Sequence, residues 1–89
     1  MIRAHLLISG VVQGVCFRAE SKYQAQFLNL SGWVKNRYDG KVEIVAEGRR
    51  SEVERMVQWC KKGPAGAIVE NVDVVWQEYT GEFEGFDIK

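Results

Sequence analysis

Apolar positions recur at three- and four-residue spacing in two stretches of this chain and alternate or run together elsewhere, and that contrast predicts its elements. Val53, Met56, Val57 and Cys60 repeat at i, i+3, i+4 and i+7 until Gly63-Pro64 stops the run, which predicts a helix. Ser51 followed three residues later by Glu54 has the spacing of a capping box at its start. Phe17, Ser21, Ala25 and Leu28 mark one face of an earlier helix, with Arg18, Lys22, Gln26 and Asn29 on its polar side. Asn29 suits the left-handed position that ends a helix, and the remaining pair Tyr23 and Phe27 is expected to be partly exposed.

The other segments read as extended. Arg3 to Ser9 is short, apolar and bounded by Gly10. Trp33 to Arg37 and Lys41 to Glu47 flank Asp39-Gly40, a dipeptide that tolerates the positive φ angles of a tight hairpin. In the second of these runs Val42, Ile44 and Ala46 alternate with Glu43, Val45 and Glu47, which predicts one buried face and one at least partly wet. The β-branched stretch within Ala67 to Tyr79 predicts a further strand, and Phe83, Phe86 and Ile88 a short extended end. The order βαββαβ, with each helix crossing between strands, is that of the ferredoxin-like α+β sandwich. That fold has a four-stranded antiparallel sheet with two helices on one face, here followed by a short C-terminal strand.

Length and composition narrow the class. Residues 1–89 contain no linker, repeat or charge block, so they read as a single domain. Surface scaling for this mass gives roughly 5,300 Å² exposed when folded against roughly 14,800 Å² unfolded, enough burial to need no metal or disulfide staple. Twelve basic residues balance twelve acidic ones. A neutral chain lacks the electrostatic footprint of a nucleic-acid or anionic-membrane binder, though a local anion site is compatible with it. The longest apolar run near the N-terminus, Leu6 to Ile8, is too short for a signal peptide core or a membrane span, so a cytoplasmic location is expected. Cys16 and Cys60 form no CxxC pattern, so no zinc, iron-sulfur or thioredoxin-like site is expected, and a disulfide between them stays open.

Chemistry concentrates between the first strand and the first helix, in Gly10-Val11-Val12-Gln13-Gly14-Val15-Cys16-Phe17-Arg18. A loop entering a helix N-terminus presents unpaired N–H groups, and its glycines permit the φ values that let several amides converge on one anion. Arg18, in the first helical turn, adds a planar bidentate donor that keeps its charge. The GxxxxGK[ST] pattern of nucleotide-binding loops is absent. Spacing alone leaves open an ordinary connection with a surface arginine.

That nine-residue segment resembles the GxVQGVxFR signature of the acylphosphatases, small enzymes that hydrolyse the carboxyl–phosphate bond of acyl phosphates. Gly32-Trp33-Val34-Lys35-Asn36, with Asp39-Gly40 and Val42-Glu43, resembles their GWVxNxxDGxVE segment, and Gly85-Phe86-Asp87-Ile88 extends the likeness over essentially the full chain. The resemblance implies that Arg18 binds phosphate and Asn36 positions the attacking water. The backbone amides of Gln13, Gly14, Val15, Cys16, Phe17 and Arg18 would then complete the cradle. It further implies a monomer with an acyl phosphate substrate and inorganic phosphate as product, and neither cofactor nor metal. Val11 departs from the Arg or Lys frequent at its position in the family, and Arg37-Tyr38 from a pair that commonly contains Thr. Arg37 is therefore a candidate for shaping preference for the leaving acyl group.

Other residues have plainer roles. Cys16 is read as a bystander packing the loop, Cys60 as core and His5 as a structural strand residue without a carboxylate partner. Glu43, Glu47, Glu52, Glu54, Arg49 and Arg50 read as solvated charges. Two other function classes use this topology. An RNA-binding domain would need a pattern such as [KR]G[FY][GA]FVx[FY] and a basic surface, both missing here. A non-catalytic carbamoyl phosphate module, of the kind that begins the hydrogenase-maturation carbamoyltransferases, would share the anion loop.

Overall fold

In the computed structural model, which describes residues 1–89, the alternation Ala4, Leu6, Ile8 becomes the inward face of strand β1 (Ile2–Val11). Helix α1 (Phe17–Phe27), the hairpin β2 (Ser31–Asn36) and β3 (Val42–Gly48), helix α2 (Arg50–Lys62), β4 (Ile68–Gln77) and β5 (Phe86–Ile88) follow. The strands lie in the order β4-β1-β3-β2-β5. The four longer strands are antiparallel, as the pattern predicts, while β5 joins the edge of β2 in parallel and makes the sheet five-stranded and mixed. The molecule exposes 5263 Å², matching the scaling expectation. No helix is long and apolar enough to cross a membrane.

The core is the contact between one sheet face and the helix stripes. Ala4, Leu6, Ile8, Val34, Val42, Ile44 and Ala46 meet Phe17, Ala25, Val53, Met56 and Cys60, all buried. Phe17 matters most for the site, because its ring packs edge-on against Trp59 of α2 with centroids 5.4 Å apart. Deleting such a buried ring costs about 3–5 kcal/mol, so Phe17 anchors the start of α1 and hence the position of its neighbour Arg18. Tyr23 and Phe27 lie on the outer side of α1, Phe27 being 76% exposed. Asn29 takes the left-handed conformation, φ 57°, just beyond that helix.

Four local expectations need correction. The capping box does not form, because α2 starts at Arg50 and Ser51 is already inside it. The Ser51 hydroxyl donates to Glu52 Oε1 at 3.3 Å, and Arg49 caps the helix without a side-chain bond. The β2–β3 hairpin turns at Asp39-Gly40 as that dipeptide implies, with Gly40 alone at a positive φ, 87°. Gly40 N–H donates to Arg37 O and Arg37 N–H to Lys41 O, the pattern of a three-residue loop ending in a left-handed glycine.

Glu47 is not solvated but 1% exposed. Its carboxylate accepts from Thr80 N–H, Thr80 Oγ1 and Gly81 N–H at 2.9, 2.8 and 3.1 Å, with Arg3 3.7 Å away. The segment leading from β4 to β5 covers it, and these bonds offset the cost of burying the charge. Glu43 is likewise mostly covered, and it supplies the carboxylate partner that His5 lacks in the local sequence. His5 Nε2 and Glu43 Oε2 lie 2.6 Å apart across β1 and β3.

Three carboxyl groups are held below their ordinary range. Burial pushes Glu43 upward, but the hydrogen bond and charge of His5, with Lys35 and Arg37, outweigh it. The Lys41 N–H lowers Asp39, and the Arg3 hydrogen bond lowers Glu82. For a carboxyl depressed in the folded state, the unfolded chain takes up protons first on acidification, so stability rises with pH across that window. The contribution of these carboxyls to the melting temperature should therefore be lost progressively as the pH falls from about 5 towards about 2. Calorimetric scans across that range check this, and a flat profile would count against these pairings.

Candidate active site

The anion loop is shaped where β1 leaves the sheet. The pairing of β1 with β4 shifts register between Ser9 and Gly10, and a Cβ on Gly10 would lie 2.1 Å from Ile68 O, so only glycine permits this bulge. Beyond it, Gly14 (φ 74°) and Cys16 (φ 65°) are left-handed while Val15 between them is not. Such alternation curls successive N–H groups into a concave nest. Gly14 has open space where a side chain would begin, which leaves the backbone accessible. None of the N–H groups from Gln13 to Arg18 finds an acceptor in the protein. The first backbone bond in this region comes from Glu20 N–H to Cys16 O.

Four residues of this segment, Gly14, Cys16, Phe17 and Arg18, line a cleft of about 420 Å³ together with Asn36, and Val12, Ala19 and Ile88 complete the wall. Arg18 and Asn36 thus meet at one cleft although they come from α1 and β2. Asn36 reaches it through strand periodicity: Val34, two residues earlier, packs into the core, so Asn36 continues that face beyond its edge. The Arg18 guanidinium joins none of the chain's ion pairs. The Asn36 side chain also makes no hydrogen bond, unlike its neighbour Arg37. Gln13 and Val15 do not line the cleft, and the Gln13 side chain turns instead to the β2–β3 turn. Sequence reasoning missed Val12, Ala19 and Ile88. Ile88 enters through the parallel pairing of β5 with β2, for which no local pattern exists.

A second hollow of about 500 Å³ shares Asn36 and is lined by Lys35, Arg37, Tyr38, Asp39, Glu43 and Lys89. Arg37 belongs to this hollow and not to the first. Its guanidinium binds Asp39 at 3.2 Å and Glu43 at 3.4 Å, and the bond to Asp39 raises its already high pKa. Val11 is exposed at the end of β1, outside both. No three His, Cys, Asp or Glu side chains cluster as metal ligands would.

Cys16 does not pack the loop as expected. It is exposed on the cleft while Phe17 takes the interior position, and Cys60 is fully buried with its thiol pushed up by burial. The two are unpaired. A thiol reagent should therefore modify one cysteine in the native protein and two in denaturant, with Cys16 alkylation slowing turnover and Cys16→Ala largely preserving it. Counting titrated thiols with residual activity checks this, and collapse of turnover in folded Cys16→Ala would make the thiol more than a bystander.

The family model described as Acylphosphatase matches residues 4–88. A curated acylphosphatase of Pelotomaculum thermopropionicum is 57% identical over 86 residues, covering 97% of this chain and 94% of that protein. The crystal structure of acylphosphatase from Bacillus subtilis superposes with a TM-score of 0.96 at 35% identity, covering 100% of this chain and 99% of that one. The acylphosphatase structure from Coxiella burnetii gives 0.90 at 38% identity, covering 99% and 92%. Agreement of sequence and fold over nearly the whole length of these relatives means that the chain belongs to the acylphosphatase family.

Proposed function

We propose that this acylphosphatase-family hydrolase cleaves the carboxyl–phosphate bond of acyl phosphates with a water molecule positioned by Asn36. The phosphoryl group is held by Arg18 and the backbone amides of residues 13–18. The observation that carries this reading is the run of N–H groups from Gln13 to Arg18 without acceptors, of which Gly14, Cys16, Phe17 and Arg18, the last with an uncommitted guanidinium, line the cleft that Asn36 shares. Preorganised donors of this kind stabilise charge most where water is excluded and no reorganisation is needed.

The carboxylate of an acyl phosphate is a good leaving group, so the chemistry asks for holding and aiming more than for a strong acid. Phosphoryl transfer proceeds with charge spread over three equatorial oxygens and with nucleophile and leaving oxygen in line. Arg18 offers a fork to two of those oxygens and the loop amides take the rest. The Asn36 amide can accept from water through its oxygen and donate through its nitrogen, which fixes the direction of a lone pair. Asparagine is no base at neutral pH, so the proton leaves to solvent or to a phosphate oxygen of the substrate. In this reading carboxylate and inorganic phosphate are released, no covalent phosphoenzyme forms, and the working form is a cytoplasmic monomer acting on free small molecules.

Hydrolysis of benzoyl phosphate, followed by its ultraviolet absorbance, tests the proposal. Turnover should persist in excess EDTA, because Arg18 and the amides do the charge neutralisation assigned to them, and inorganic phosphate should compete with substrate for the same cradle. Purely non-competitive inhibition by phosphate, or activity lost to EDTA and restored by magnesium, would contradict it.

A further inference from the structure

We infer that the Gln13 side chain is a positioning residue, the clamp that holds the phosphate loop in register with the strand end carrying Asn36. This inference rests on the water-positioning reading of Asn36. Gln13 Nε2 donates to Arg37 O at 2.8 Å and to Lys41 O at 3.0 Å, so both protons of one amide are used. Two carbonyl acceptors also settle which end of the amide faces the turn, since an oxygen there would meet only lone pairs.

The acceptors are the two carbonyls that close the β2–β3 turn. Arg37 O already receives Gly40 N–H, and Lys41 O already receives Arg37 N–H. The hairpin is therefore rigid by itself, with Asn36 paired opposite Val42 at its end. The loop is not fixed in that way. Residues Val12 to Cys16 leave the sheet, and no backbone bond joins them to residues 36–41. The Gln13 amide supplies the hydrogen bonds between the two bodies, one carrying the amide cradle and the other the water-aiming carboxamide. In-line attack depends on the separation of these bodies, and a misplacement of about 1 Å can cost about a hundredfold in rate.

The test is a double-mutant cycle of Gln13→Met, which keeps length and loses both donors, with Asn36→Ala. Steady-state kcat and KM for benzoyl phosphate, phosphate inhibition and circular dichroism are measured on each variant. Gln13→Met should lower kcat about ten- to a hundredfold, with phosphate inhibition changed less than kcat. In the Asn36→Ala background the same substitution should cause little further loss, because nothing remains to be positioned. A merely structural glutamine would instead give the same factor in both backgrounds. Equal factors, or a wild-type kcat in folded Gln13→Met, overturn the inference. If Gln13→Met does not fold, Gln13→Asn, too short to reach both carbonyls, enters the same cycle with the same two outcomes. A near-normal kcat in folded Asn36→Ala removes the water-positioning reading and this inference with it. A lowered kcat there, together with equal Gln13 factors, removes this inference alone.

Discussion

Replacing Arg18 with alanine should weaken phosphate binding and lower kcat together, with the loss in kcat/KM the larger. Its guanidinium pairs with no carboxylate and needs no structural partner, so removing it leaves Phe17 and the start of α1 intact. On the proposed reading, what disappears is a charged fork made to two phosphoryl oxygens, in the ground state and more strongly in the transition state. Losing one preorganised contact of this type costs about 2.7 to 4 kcal/mol, a rate factor of about a hundred to a thousand. Arg18→Lys should recover little, because an ammonium restores charge without the planar pair of donors. Calorimetric titration with phosphate alongside kinetics checks both variants. Unchanged phosphate affinity in folded Arg18→Ala would remove the cradle assignment.

Asn36→Ala should separate differently, lowering kcat by a comparable factor of about a hundred to a thousand while leaving phosphate affinity nearly intact. The residue lies at the end of β2, where it lines the same cleft as Arg18, and its carboxamide makes no hydrogen bond within the protein. On the proposed reading, its loss releases a water that then attacks from many directions. Asn36→Asp is a stricter test, since it keeps size and the accepting oxygen but brings a negative charge towards an anionic substrate. It should raise KM as well as lower kcat. A turnover near wild type in folded Asn36→Ala would leave the water without its assigned guide.

The helices and most strands were legible because each buries one continuous stripe, so the period of Val53, Met56, Val57 and Cys60 reports directly on what each residue touches. What local periodicity missed depends on chain far away in sequence. Glu47 and Glu43 look like outward charges on an alternating strand. Whether they meet water is decided by Thr80 and Gly81 crossing over one, and by His5 on a neighbouring strand beside the other. The capping box failed for a related reason, since helix start is set where the chain leaves β3, two residues earlier than the Ser51 pattern implies.

The site divides the same way. An anion loop was suggested by its own residues, two glycines ahead of a helix and an arginine in its first turn, but these left an ordinary connection open until the family resemblance weighed against it. Asn36 carried no such signal, as one polar residue before a turn is commonplace, and only the family resemblance singled it out. Ile88 and the Gln13 clamp were out of reach. The first depends on a parallel edge strand and the second on a side chain bridging two segments more than twenty residues apart.

The claim at the centre of this account is that one loop of backbone amides, with Arg18, receives the phosphoryl group. Titrating ¹⁵N-labelled protein with inorganic phosphate tests it most directly, because each amide reports for itself. The account predicts saturable shifts concentrated in Gln13 to Arg18, with a midpoint equal to the inhibition constant for phosphate and greatly weakened in Arg18→Ala. Saturable shifts centred elsewhere, with this loop unmoved, would contradict it.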